Sequence, residues 1–225
     1  MNDRDKARRR PPAPHSPETP WRSASDLAAA SRAFAPACER NKEPILAVLR
    51  TEFAAARTVL EIGSGTGQHA VFFARALGHL VWQTSDRAEN HKAILAWVAS
   101  EGPANVRAPL QLDVAGAWPQ SQFDAVFSAN TAHIISWPEV CAMIAGVGRV
   151  LTPGGAFALY GPFAYDGVHT SDSNAAFDRM LRERDPESGI RDLRDLEIEA
   201  RRAGLALEAD HVMPANNRTL VWRRS

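Results

Sequence analysis

The strongest constraint on the fold lies in residues 58–77. An apolar run, Thr58 to Ile62, carries one acid at Glu61 and leads into glycines at every second position, Gly63, Gly65 and Gly67. From Ala70 to Leu77 the chain is apolar and helix-forming. Strand, glycine turn and helix in that order build the ligand-cradling corner of an open α/β sheet. Glycine serves in such a turn because the backbone takes positive φ and a ligand approaches the main chain closely.

The spacing separates two ligand classes. A dinucleotide turn reads G-x-G-x-x-G, and its third glycine would fall at Gln68. Here the pattern is G-x-G-x-G behind an acid. The stretch Glu61 to Gly67 resembles the first motif of class I S-adenosylmethionine (SAM) methyltransferases. The resemblance implies that Gly63, Ser64, Gly65 and Gly67 admit the amino-acid end of SAM, because backbone N–H groups there favour a carboxylate. Glu61 is then expected to orient the turn and to reach the cofactor's ammonium through water.

The rest of the chain supplies strands and helices in alternation, with Leu80–Thr84 as the second strand and Asp86 just beyond it. An acid at that place grips ribose hydroxyls; it also suits the N-cap of a helix over residues 87–98. Leu110–Val114 reads as a third strand, Phe123–Asn130 as a fourth and Ala156–Tyr160 as a fifth. A helix over residues 139–150 and the turn Leu151–Gly155 precede the fifth strand. Two polar helices, about Ser173–Arg184 and Arg191–Ala203, follow a long loop over residues 161–170. Leu205–Met213 and Arg218–Arg223 close the chain as an antiparallel hairpin. The resemblance makes Asp113 the adenine-binding acid, with Val114 beside it. The expected fold is α/β, a Rossmann-like class I methyltransferase sheet of seven strands, mostly parallel.

Composition narrows the classes. The 225 residues suffice for one domain with a full core, and 45% of them are hydrophobic. Lys plus Arg equals Asp plus Glu at 26 each, so bulk charge demands neither nucleic acid nor a membrane surface. No apolar run is long enough to span a bilayer. Cys38 and Cys141 are too few for a disulfide framework or a metal knuckle, which points to a reducing, cytoplasmic setting and to no metal. Residues 1–22 are rich in arginine and proline and read as a disordered tail ahead of a domain at 23–225, with a short alanine-rich helix over 23–34. No h-region of a secretory signal is present in them. Monomer and homodimer are both open.

Polar residues of the loops gather at the carboxyl ends of the strands, where doubly wound sheets bind ligands. Asn130 faces cofactor or acceptor. His133 is placed as a general base, or is a packed histidine, and Tyr160 completes the catalytic candidates with them. Arg40 and Asn41, in a polar cluster before a helix opened by Pro44, frame an acceptor pocket with His169, Asn174 and Asn216. Arginine there suits a small polar or carboxylate-bearing acceptor.

Five segments taken together narrow the likeness: residues 37–46 (ACERNKEPIL), 60–69 (LEIGSGTGQH), 128–130, 160–163 and 214–217 (PANN). Over about Ala35–Arg224 the chain resembles a branch of methyltransferase-like proteins known as a domain of unknown function. That branch implies SAM as cofactor and leaves the acceptor open. The expected activity is methyl transfer from SAM to a small polar molecule. A non-catalytic SAM- or partner-binding protein of the same fold is the alternative, and an NAD oxidoreductase is disfavoured by Gln68.

Overall fold

The computed structural model describes residues 32–225. The expected tail over 1–22 lies outside them. Of the expected helix over 23–34 only residues 32–34 are described, and they are not helical.

Helix α1 (Pro36–Glu52) leads into strand β1 (Thr58–Ile62), helix α2 (Gln68–Ala76) and strand β2 (Val81–Asp86). Helix α3 (His91–Glu101), strands β3 (Val106–Gln111) and β4 (Phe123–Ala129), helix α4 (Trp137–Val150) and strand β5 (Leu151–Gly161) follow. Next come the short strands β6 (Phe163–Tyr165) and β7 (Val168–His169), helix α5 (Asp172–Arg184), strand β8 (Arg191–Asp192) and helix α6 (Leu193–Arg202). The long strands β9 (Leu205–Met213) and β10 (Asn217–Arg224) end the chain.

The main sheet has seven strands in the order β3-β2-β1-β4-β5-β10-β9. Pairing is parallel from β3 through β5 and antiparallel for β10 against β5 and β9. This is the expected class I methyltransferase arrangement, closing hairpin included. The order reverses between β1 and β4, so a crevice opens where their carboxyl ends part. Strands β7-β6-β8 form a small second sheet.

Period-two alternation sends successive side chains to opposite faces. Leu60, Ile62, Val126, Phe157, Leu159, Leu220 and Trp222 pack with α4 and α6 on one face. Val59, Ala125, Phe127, Ala158 and Val221, which interleave with them in sequence, pack with α1 and α2 on the other. The central strands are therefore buried on both sides, which explains their near-continuous apolar sequence.

Several boundaries differ from the sequence reading. Pro36, not Pro44, occupies the first turn of α1, and Pro44 lies inside that helix. Residues 40 and 41 therefore sit on a helix and not in the approach to one. Pro44 has no N–H, so the Arg40 carbonyl lacks its usual helical partner. The third strand ends at Gln111, and Leu112–Val114 form its exit. The turn at residues 151–155 belongs to β5, which runs for 11 residues. After β2 a 3-10 turn (Ala88–Asn90) precedes α3. Asp192 caps α6 by accepting from the Arg194 N–H, so Arg191 falls in β8 and not in the helix.

Candidate functional site

The glycine turn is held by hydrogen bonds to the end of β2. Gly63, Gly65 and Gly67 all have positive φ, at 71°, 57° and 87°. The Ser64 N–H donates to the Ser85 carbonyl at 3.0 Å, and the Gly65 N–H donates to Asp86 Oδ2 at 2.7 Å. The other Asp86 oxygen accepts from the Arg87 N–H and from Asn90 Nδ2, each at 2.8 Å. Asp86 thus joins two loops at the crevice floor, and it does not cap α3.

The three glycines differ in what surrounds them. A Cβ on Gly63 would meet Thr131 Oγ1 at 2.6 Å, and one on Gly67 would meet Ile94 Cα at 3.1 Å. A Cβ on Gly65 would meet nothing within 4 Å. Gly63 and Gly67 are thus needed for packing, whereas Gly65 leaves its space to the crevice.

Glu61 sits beneath this turn, fully buried. Its carboxylate accepts from Ser64 Oγ at 2.8 Å and from Trp82 Nε1 at 3.1 Å. Burial pushes its pKa up to about 7, against the pull of those two donors. It orients the turn from below and does not line the crevice.

The crevice is a cavity of about 570 Å³ between the loops after β1, β2 and β4. Gly63, Ser64, Gly65, Asp86 and Asn130 of the expected cofactor residues line it. Gly67 does not; it starts α2. Val114 is buried in the core under α4. Asp113 lies in a shallower recess alongside, with Arg87 and Glu89 common to both. Its Oδ1 accepts from the Ala115 N–H at 3.0 Å, a turn-forming bond, while Oδ2 lies 3.8 Å from Arg87 Nε.

A second cavity, about 460 Å³, adjoins the first. Ala37 and Asn130 line both and form the wall between them. Asn130 holds a left-handed conformation, φ 57°, and its N–H donates to the Tyr160 carbonyl at 2.9 Å. Backbone of this kind in a non-glycine residue concentrates at functional sites. Ala215, at φ 57°, also lines this second cavity.

Of the expected acceptor residues, Arg40, Asn41, Asn130, Tyr160 and Asn174 line it. His133, His169 and Asn216 do not. His133 is buried and packs edge-on against the Phe177 ring at 5.4 Å. Burial holds its pKa down to about 4, helped by the Arg191 charge. The packed-histidine reading fits this position, and the general-base reading does not. His169 Nε2 faces Asp178 at 3.7 Å. Asn216 Nδ2 reaches Ser173 Oγ at 3.4 Å, and the Asn216 carbonyl accepts from Asn174 Nδ2 at 2.9 Å, tying the closing hairpin to α5.

Three groups of functional weight escaped the sequence reading. The first is the pair Gln68 and His69. Gln68 Oε1 accepts from the Ala35 N–H at 2.5 Å, and Gln68 Nε2 donates to Glu39 at 3.2 Å. His69 Nε2 bonds Asn41 Oδ1 at 2.7 Å. Burial holds His69 near pKa 4, hence neutral, with a proton on Nε2 for Asn41. Asn41 and Tyr160 both line the second cavity. The second is Cys38, whose Sγ lies 3.9 Å from His69 Nδ1 in the crevice wall. Burial pushes this thiol up to about 11, so it is not a nucleophile near neutral pH.

The third is Arg191. Its guanidinium donates to the carbonyls of Ala132 and Glu187 at 2.9 and 2.8 Å, and to that of Ile135. Ser188 Oγ and the Gly189 N–H take the carbonyls of Ile134 and His133 at 2.6 and 3.0 Å. The segment 187–191 thereby fixes the loop after β4, which lines the crevice. Periodicity carries no signal for such side chain to backbone bonds.

Solved structures similar to this chain share its fold. An O-methyltransferase family protein from Burkholderia thailandensis superposes with a TM-score of 0.74 at 21% identity, over 90% of this chain and 61% of that one. Human N-acetylserotonin methyltransferase, in complex with SAM, superposes at 0.71 with 13% identity, over 89% and 55%. A protein-L-isoaspartate O-methyltransferase from Chromohalobacter salexigens is 32% identical over 98 residues, 43% of this chain and 42% of the relative. The chain spans less than two thirds of the length of each of these. A model of the family described as protein of unknown function, DUF938, matches residues 32–224, and the chain belongs to that family.

Proposed function

We propose that the protein is a SAM-dependent methyltransferase acting on a small polar acceptor. The observation that carries this reading is the pair of adjoining cavities with Ala37 and Asn130 as their common wall. One is large enough for a nucleoside amino acid and the other for a small molecule.

The residues of the crevice suit SAM. Gly65 leaves room over an outward-facing turn, and Asp86 stands at the end of β2, where a ribose would be gripped. When bound, SAM supplies a sulfonium-activated methyl group. The chain's own contribution is alignment and exclusion of water. Arg40 and Tyr160 orient the acceptor, and Asn130 stands where acceptor and cofactor meet. Asp113, in the recess beside the crevice, is assigned to the adenine end, and Glu61 acts through the turn it holds. Similarity to SAM-bound methyltransferases supports the cofactor, while the acceptor rests on the second cavity alone.

Calorimetric titration of the purified protein with SAM tests the reading. Saturable heat is expected for the natural protein, with affinity weakened about tenfold or more for Asp86→Ala, which loses a charged hydrogen-bond acceptor. No heat from either protein at millimolar SAM would sink the assignment. SAM binding with no methyl transfer to any small molecule would instead favour a binding protein of the same fold.

A further inference from the structure

The acceptor cavity has an unusual balance of groups. Arg40 is its one charged lining residue among those described, and no carboxylate or imidazole lines it. Arg40 makes no ion pair with any described residue; the neighbouring Glu39 is taken by Lys42 and Gln68. A second donor stands close by. Tyr160 lines the same cavity, and its hydroxyl makes no hydrogen bond to a described residue, so its proton is free for a ligand. The Arg40 charge is near enough to act on that phenol. The remaining walls are largely apolar, with Phe177, Pro44, Pro162 and Pro214.

These groups select an anion with an apolar body. They also exclude one chemistry. A hydroxyl acceptor needs a base to take its proton, and none lines the cavity: His133 packs against Phe177, and His69 lies in the wall of the neighbouring crevice. A carboxylate is already ionised and needs no base. Guanidinium matches it in shape and charge.

Building on the methyltransferase reading above, we propose that the acceptor is a small monocarboxylic acid with an apolar body, seated by Arg40 and Tyr160, and that its carboxylate oxygen receives the methyl group. A carboxylate oxygen lone pair forms the new O–CH3 bond. The S–CH3 bond breaks with its electron pair passing to sulfur. The sulfonium and carboxylate charges are both cancelled, and no proton moves. The products are a methyl ester and S-adenosylhomocysteine.

The first test needs no cofactor. Benzoate and benzamide are titrated separately into the full-length protein, followed by NMR. Benzoate is expected to bind at least about tenfold tighter, because only it meets the arginine as an anion. That preference should vanish in Arg40→Met and persist in part in Arg40→Lys. Arg40 is exposed on α1, so neither variant removes core packing. Equal binding of the two probes, or a benzoate preference that survives Arg40→Met, overturns the proposal.

The second test supplies methyl-labelled SAM and a small-molecule cell extract. Transferred label should leave as volatile methanol after treatment with base, as methyl esters do, and the rate should be flat between pH 8 and 9, above the titration of Glu61. Label that stays fixed in base, a rate that climbs over that range, or no transferred label from protein that binds SAM overturns ester formation. Protein that selects benzoate through Arg40 yet binds no SAM would leave the anion site standing and remove the methyltransferase reading instead.

Discussion

Asp86 joins an architectural role to the ligand role proposed for it. Its two oxygens accept three hydrogen bonds from the glycine turn and the following loop, so its loss weakens the crevice even before a ribose is considered. The glycines allow these effects to be separated. Gly65→Ala adds a methyl group to open space at a φ of 57°. It should fold with a loss of about 1–2 kcal/mol, the cost of left-handed backbone, while SAM affinity falls at least about tenfold. Gly63→Ala adds to that strain a contact of 2.6 Å with Thr131, so thermal unfolding should show the larger loss for this variant. Equal stabilities for the two would refute the division of roles. Tyr160→Phe removes one donor from the acceptor cavity and is expected to lower kcat/KM for the acceptor by about tenfold with SAM affinity unchanged, measured by calorimetry alongside initial rates.

Helix α1 is the element that turns a sheet edge into a two-chamber site. Its amino end is bound to α2 through Gln68 and His69, and its next turn presents Arg40 and Asn41 to the second cavity. Gln68→Ala should therefore weaken acceptor binding as well as stability, by about 1 kcal/mol for the part-buried hydrogen bonds lost. Raised KM together with a lowered Tm is the pattern to look for; a lowered Tm alone would make Gln68 structural only. Helix α4 offers a control. Ser136 and Glu139 form a reciprocal capping box at its start, with Ser136 accepting from the Glu139 N–H and Glu139 from the Ser136 N–H. Ser136→Ala should cost about 1 kcal/mol and leave ligand binding intact. Much of this level was legible beforehand: the strands, the glycine turn, the closing hairpin and both polar helices came from periodicity and punctuation. The starts of α1 and α6 did not, because Pro36 in the first turn and the Asp192 cap are weak signals beside Pro44 and the charged run that follows Asp192.

Across the whole molecule, three buried titratable groups set the response to acid. His69 and His133 are held down to about 4 by burial, and Glu61 is pushed up to about 7. Each histidine stabilises the fold above its unfolded pKa of about 6.5, and that stability is lost as pH falls toward 4. Glu61 runs the other way, since its contribution is greatest below about 4.5 and fades as pH rises through 7. Each shift corresponds to about 3 kcal/mol at full extent, so the two histidines outweigh the one acid. Unfolding free energy should therefore fall between pH 6.5 and 4.5. His133→Phe, which keeps a ring against Phe177, should reduce that slope by about half a proton or more. An unchanged slope would mean that His133 is already solvated.

Chain order and side-chain chemistry were enough to announce the sheet, its glycine corner and the acid beyond the second strand, because each depends on neighbours within a few residues. The same residues did not reveal which polar groups meet. Arg40, Asn41, Asn130, Tyr160 and Asn174 converge on one cavity, while His133, His169 and Asn216 turn to other partners. The bond from His69 to Asn41 joins helices α2 and α1, and Arg191 clamps a loop more than fifty positions earlier. Those choices belong to packing: a polar side chain brought under a loop must find a partner or stay in water, and only the folded arrangement settles which partner is within reach.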